Sequence, residues 1–388
     1  MKRSIYTTVS ALALFSAAPA LAQNNGSSVN QDGTANEAVV GQSGSGASSE
    51  VNQLGTNNLA TVSQSGSGAS ATINQGGEPN AGEQTRFGMS GIYESSGAEA
   101  TVTQASAAVA TVDQIAVDGG ATREVEAIVS QDGNAGGSTA AIRQRLSGSA
   151  DATIEQSGGD NQSTILQYQG NHSALNLQSG EANQSTIDQG GSNTSATVIQ
   201  SGDRGRSNVF IFGNNDGVYV EQLGEDNVSD VGQYGTSNGT ANVYQAGARN
   251  TSNVAQGEQS YAEVDQLGTD GTSGISQQYG DTARVTQTAD SDNASSSITQ
   301  TGGWFFHDNE ATVTQGGIGV QSTILQDGSG MSATVTQEGV GSISDIAQTG
   351  SGHSATVSQY SDGNVSDVMQ SGTGNSATVT QGTAPIGT

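Results

Sequence analysis

Hydrophobic residues in this chain keep a two-residue beat inside an eleven-residue one. Gln recurs at Gln31, Gln42, Gln53, Gln64 and Gln75, again at Gln156, Gln167, Gln178, Gln189 and Gln200, and again at Gln326, Gln337, Gln348, Gln359, Gln370 and Gln381. Two residues before the Gln stands Val or Ile, as at Val29, Val335, Ile346, Val357, Val368 and Val379, with Asn176 the exception. Four before it stands Ala or Ser, as at Ala333, Ala355 and Ala377, with Val218 the one larger occupant. Six before it Asn is common, as at Asn36, Asn58, Asn364 and Asn375. Alternation at period two predicts strands with one face buried and excludes helices. About thirty such registers can be placed, the mark of a repeat architecture. The spacing slips at Gln245, Gln266, Gln287, Gln300 and Gln315, and Ile211 stands where a Gln is due.

Charges report independently on which face is inside, because an unpaired buried carboxylate is costly. They are expected on the opposite face throughout: three before the Gln at Glu50, Asp230, Glu263, Arg284, Asp345 and Asp367, one before it at Asp113, Arg143, Glu155, Asp188, Glu221 and Asp265, and five before it at Glu37, Glu99, Asp151 and Glu310. No register has a charge at the positions zero, two or four before. Gly stands two after the Gln, as in Gln53-Leu54-Gly55 and Gln370-Ser371-Gly372, and opens a short turn. Pro79 and Pro385 lie outside the strand registers, as a hydrogen-bonded ladder requires.

The residue four before the Gln alternates from Ser163, Ala174, Ser185 and Ala196 to Ser344, Ala355, Ser366 and Ala377, Val218 taking an Ala place. The unit is therefore two strands, about 22 residues, one in a serine sheet and one in an alanine sheet. The predicted fold is all-β: a β-solenoid of stacked strand-turn-strand coils, two facing sheets, cross-β and amyloid-like. Some fifteen coils at about 4.8 Å make a column of roughly 70 Å, with an open β-edge at each end.

Composition enters only after this periodicity. With 56 Gly, 32% hydrophobic, 4% aromatic and 12% charged residues, the chain cannot build a conventional globular core; repetition and hydrogen bonding must replace it. Ten basic against 37 acidic residues give a formal charge of −27, which disfavours nucleic acid and anionic membranes. The absence of Cys removes disulfides, thiolate metal sites and thiol nucleophiles.

Residues 1–22 read as a secretory signal peptide: Lys2 and Arg3, an apolar stretch through Leu12, Leu14 and Phe15, then Ala20-Leu21-Ala22. No other apolar stretch is long enough to predict a transmembrane segment. The expected segments are regular repeats over 23–75, an irregular insertion over 76–100, the solenoid over 101–381 with a loop at 302–308, and a tail over 382–388. The first insertion carries Pro79, Arg86, Phe87, Met89 and Tyr93; the loop carries Trp304, Phe305 and Phe306, an aromatic cluster that is a candidate surface contact.

Chemistry is sparse. His172, His307 and His353 have no metal-ligand spacing, and His172 and His353 occupy the Asn place, so ladder substitutes are expected there. No Ser lies in a nucleophile elbow, and Asp-Gly pairs such as Asp327-Gly328 do not recur coil after coil as calcium ligands would. No catalytic residue, metal or cofactor is expected. Outward rows Thr312-x-Thr314, Thr334-x-Thr336, Thr356-x-Ser358 and Thr378-x-Thr380 offer an alternative, a monomeric solenoid binding ice or a carbohydrate, although Arg284, Glu263 and Ile199 break the row.

The unit Asn364-x-Ser366-x-Val368-x-Gln370-x-Gly372-x-x-Asn375-x-Ala377-x-Val379-x-Gln381 resembles the curlin repeat of bacterial curli subunits. The resemblance implies export through an outer-membrane channel of a Gram-negative-type bacterium, via the periplasm, to the extracellular surface. It also implies a nucleator, and self-association into amyloid fibres that support biofilm and adhesion. Two features depart from the major subunits: Asn rather than Ser commonly stands six before the first Gln of a unit, and the chain is roughly three times longer than the usual five units.

Overall fold

The computed structural model describes residues 24–77, 94–116, 125–146, 148–302 and 308–384. The chain coils through two parallel sheets. One runs from Gly26–Thr34 to Val365–Thr373 and has sixteen strands, the two-residue strand Ser95–Ser96 lying off its path. The other has fifteen and runs from Glu37–Gln42 to Ser376–Gln381. Successive strands alternate between the sheets, and each pairs in parallel with the strands one coil before and after it. In the regular stretches the step is 22 residues, as in Gln31 beside Gln53 and Gln42 beside Gln64. This is a β-solenoid with strands across its long axis, and among the described residues there is no helix.

The small residue four before the Gln sorts the sheets. Ser27, Ser49 and then Ser163 to Ser366 lie in the first, with Ala71, Ala110 and Ala140 in three of its strands. Ala38 to Ala377 lie in the second, Val218 excepted. The lone Asn176 shows how the sheets face: its Nδ2 donates to Ser163 Oγ at 2.6 Å in the same coil. The Val/Ile column of the alanine sheet therefore lies over the Ser column, and by the two-residue step that of the serine sheet lies over Ala. Large meets small except at Val218, so a few methyl-bearing side chains fill an even gap as in a dry zipper. One continuous buried cluster runs from Val51 to Val368, with Ala38, Val40, Ala377 and Val379 partly buried against it at the ends.

Where Gly stands two residues after the Gln it has a steric cause. A Cβ on Gly224 would lie 1.7 Å from the Gly247 carbonyl of the next coil, and one on Gly350, with φ +125°, 2.0 Å from that of Gly372. At these turns only Gly lets the chain stack so closely on the next coil.

Insertions do not interrupt the column. Gln64 and Gln104, 40 residues apart, are bonded neighbours, as are Gln75 and Gln114, Gln114 and Gln144, and Gln287 and Gln315. After each longer step the next strand lands in register. The strand Ala98–Gln104 begins inside the segment expected to be irregular, because Ala98 fills the Asn place and its N–H donates to Asn58 Oδ1 of the coil before at 3.2 Å. Pro79, Arg86, Phe87, Met89, Tyr93, Trp304, Phe305, Phe306, His307 and residues 1–22 fall outside the described residues.

The charge rule needs correction at two positions. Asp216 and Asp281 stand six before Gln222 and Gln287, on the inward face, and both are buried. Each has taken over the Asn role: Asp216 Oδ1 accepts the Gly239 N–H at 2.8 Å and Asp281 Oδ1 the Asn309 N–H at 3.2 Å. On the outer face Arg145 is also buried, clamped to the Asp113 carboxylate and carbonyl, and Asp188 is covered between Leu166 and Phe210.

Candidate assembly site: the amide ladders and the open end coils

The Gln side chains form two axial ladders. In the alanine sheet the chain of bonds is unbroken from Gln42 through Gln64, Gln104, Gln131, Gln156, Gln178, Gln200, Gln222, Gln245, Gln266, Gln287, Gln315, Gln337 and Gln359 to Gln381, each Nε2 donating to the next Oε1 at 2.7–3.0 Å. The second Nε2 hydrogen goes to a carbonyl of the facing sheet, as from Gln337 to Gln321 and from Gln359 to Ile343, so the ladder also ties the sheets together. The serine-sheet ladder runs from Gln31 to Gln370, with Gln326 donating to Gln348 and Gln348 to Gln370. It is interrupted once, at Ile211, and there Gln233 Oε1 is buried with no donor. Every rung donates toward the C-terminal end. Buried amides satisfied at both ends replace much of the apolar core this composition lacks.

The Asn place does a second job. Asn161, Asn183, Asn227, Asn250 and Asn309 each accept through Oδ1 the backbone N–H of the residue stacked above, at 2.8–3.0 Å. Several donate through Nδ2 to the turn Gly carbonyl of the next coil, as Asn183 does to Gly202 at 2.7 Å. His353 fits the same two roles: its Nδ1 accepts the Asn375 N–H at 3.2 Å and its Nε2 donates to the Thr349 carbonyl at 3.1 Å. His172 sets Nδ1 2.8 Å from Thr194 Oγ1 and Nε2 3.2 Å from the Tyr168 carbonyl. No group of three metal-ligating side chains occurs among the described residues.

Burial holds the His172 imidazole below its ordinary pKa of 6.5, against the raising effect of its bonds to the Tyr168 and Gln169 backbone. As pH falls from that value, an unfolded chain takes up a proton that folded His172 refuses. Stability present at neutral pH is therefore lost on acidification, down to the lowered folded value. His172→Asn preserves the shape of the ladder and removes the titration. It is expected to match the parent within about 0.5 kcal/mol at neutral pH and to retain more stability toward pH 5. Urea midpoints across that range check this; equal losses in both proteins would acquit His172.

The ladders end on two open strand pairs. At the tail, Ser354 and Tyr360 donate to the Asn375 and Gln381 carbonyls, so by strand alternation the peptide groups of Ser376, Thr378 and Thr380 point off the column. At the head, Glu37 donates to the Asn58 carbonyl, and the peptide groups of Ala38, Val40 and Gln42 point away. Val365 and Met369 at the tail are 64% and 78% exposed, and Val29 at the head 43%. Elsewhere Ala333, Val335, Ile346, Ala355, Val357, Gln326, Gln337, Gln348 and Gln359 are buried, while Asn364, Asn375, Ala377, Val379 and Gln381 lie on the last coil and are partly or fully open. Sequence reading had no signal for the direction of the amides, which depends on side-chain rotamers.

A family model described as the curlin associated repeat matches residues 22–55, 50–77, 307–339 and 354–382. These stretches carry curlin associated repeats. No curated protein matches it. The matched curlin repeats lie toward the two ends, and the described residues between them continue the same coil, with the same Gln ladders, on strands whose outer faces differ. Among the described residues no helix is long and apolar enough to cross a membrane.

Proposed function

We propose that the chain is the secreted structural subunit of curli-type extracellular amyloid fibres, which grow by stacking one subunit's coils on the next and support biofilm matrix and adhesion. The observation that carries this reading is the match between the two ends. Laid head to tail, Gln370 and Gln381 Nε2 would donate to Gln31 and Gln42 Oε1 of a second copy, and Ser366-Val368 and Ala377-Val379 would stack on Ser27-Val29 and Ala38-Val40. Asp367 would lie against Ser28, and Glu37 against Ser376, so no like charges meet. The joint would repeat the bonding of every internal coil. A tail-to-tail joint would set amide donors against donors and run the strands antiparallel.

Edges of this kind template addition of another chain, and neither end is covered by any described residue. The outward acids keep the free chain soluble until it docks. Export would follow removal of residues 1–22, with a channel and nucleator supplied by the cell. The outward Thr rows favour an ice or carbohydrate binder less, because Arg284 and Glu263 continue the same column as Thr312 and Thr334.

The test is to dilute residues 23–388 from denaturant and follow thioflavin fluorescence, electron microscopy and fibre diffraction. Seedable fibres with reflections near 4.7 and 10 Å are expected. A soluble β-rich monomer that never elongates seeds would refute the proposal.

A further inference from the structure

The outer face of the alanine sheet changes character between the strands Gly217–Gln222 and Glu310–Gln315. Five of the chain's nine Tyr lie between residues 219 and 279, and three of them, Tyr219, Tyr244 and Tyr261, stand on this face. Pairing sets Glu221 beside Tyr244, Tyr244 beside Asp265, and Asn242 between Tyr219 and Glu263. Across the sheet a ring thus lies between two carboxylates in the column Glu221, Tyr244 and Asp265, and along the strand Tyr219 stands two residues from Glu221.

One site on this face is already filled by the chain itself. The Arg284 guanidinium lies 5.3 Å from the Tyr261 ring centroid, with Nε 3.3 Å from Glu263 and Nη1 3.4 Å from Glu310. A ring beneath and a carboxylate on each side is a guanidinium site. The neighbouring group Tyr219, Glu221, Tyr244 and Asp265 repeats those parts, and among the described residues no basic side chain is paired with Glu221 or Asp265. We propose that this second group binds an arginine side chain of a basic polypeptide, seated on the tyrosine rings as Arg284 is on Tyr261.

Charge and protonation fit such an occupant. Tyr219 donates its hydroxyl to Glu221 at 2.6 Å, and that bond, with partial burial, pushes its pKa up to about 12, so the phenol stays neutral and holds the carboxylate in place. Asp265 is raised by partial burial and by Glu263 beside it, a surplus of negative charge that a cation relieves. A planar guanidinium can stack on a ring and bond carboxylates in its plane at once, which an ammonium cannot, so arginine should be preferred to lysine. The inference rests on the fold of a single chain and is independent of fibre growth.

The experiment immobilises residues 23–388 and titrates acetylated hexa-arginine and hexa-lysine amides at about 150 mM salt, where non-specific attraction to the chain's net charge is screened. Hexa-arginine should bind at least about fivefold tighter than hexa-lysine. Tyr219→Leu with Tyr244→Leu, which leaves the charge unchanged, should weaken hexa-arginine about tenfold, whereas the Phe pair, which keeps the rings, should retain most of the binding. Asp345→Asn with Asp367→Asn, which removes two charges from the other sheet's outer face, should change it less than about twofold. The proposal is overturned if the Leu pair, with unchanged circular dichroism, binds like the parent, if the Phe pair loses as much as the Leu pair, or if the distant Asn pair weakens binding equally. Retention of a neutral gluco-oligosaccharide by the same tyrosines, without preference for arginine, would overturn it in favour of a carbohydrate face.

Discussion

Val335→Asp is expected to prevent the column from forming, while Thr336→Asp, the next residue of the same strand, leaves it nearly intact. Val335 is fully buried in a column between Val313 and Val357. A carboxylate there has apolar neighbours above and below and a serine hydroxyl across the gap, and no cation can reach it. The lost valine contacts and the desolvated charge together cost at least about 4 kcal/mol, a large part of what a domain has to spare. Thr336 points outward between Thr314 and Ser358, where an added carboxylate meets water and hydroxyls, and a change within about 0.5–1 kcal/mol is expected. Fibre yield and urea resistance of the two variants, measured side by side, check it. Equal impairment would mean that the two faces of the strand are not distinct in the assembled state.

Thr378→Pro is expected to leave the monomer folded and to stop growth at the tail. The Thr378 N–H points away from its only paired strand, so the substitution removes no bond inside the subunit, and proline is tolerated on an edge in this way. At the joint, however, it deletes one outward donor and puts a ring where the next strand must approach within about 4.8 Å. Seeds made from this variant should still extend from the head and fail to extend from the tail. Asymmetric growth, read by adding fluorescent parent chain to variant seeds, is the measurement. Symmetric growth at the parent rate would show that the last alanine-sheet strand takes no part in elongation.

Much of this architecture is legible in the sequence because the same few residues recur in the same environment. One Val at position two is weak evidence for a strand, but the column from Val335 to Val379 repeats one packing problem with one answer. The Ser and Ala alternation carried the division into two sheets, since only strands a full coil apart are stacked neighbours. Charge was a less complete guide. Asp216 and Asp281 are read as surface residues by cost alone, yet a carboxylate oxygen accepts a backbone N–H in the same place as an Asn amide oxygen. The tyrosine and carboxylate face was present in the outward positions too. It stands out only when neighbouring strands are known to be 21 to 23 residues apart there, so that Glu221 comes to lie beside Tyr244 and Tyr244 beside Asp265.

The common direction of the glutamine rungs gives the column an electrical sense as well as a geometric one. Each primary amide carries a dipole comparable to that of a peptide group, about 3.5 D, and parallel-strand bonds contribute little along the stacking axis because they alternate in direction. Some two dozen side-chain dipoles in file therefore leave partial positive charge on the Gln370 and Gln381 end and partial negative charge on the Gln31 and Gln42 end. Opposite poles attract before any strand has paired, and joining them lengthens the dipole array instead of cancelling it.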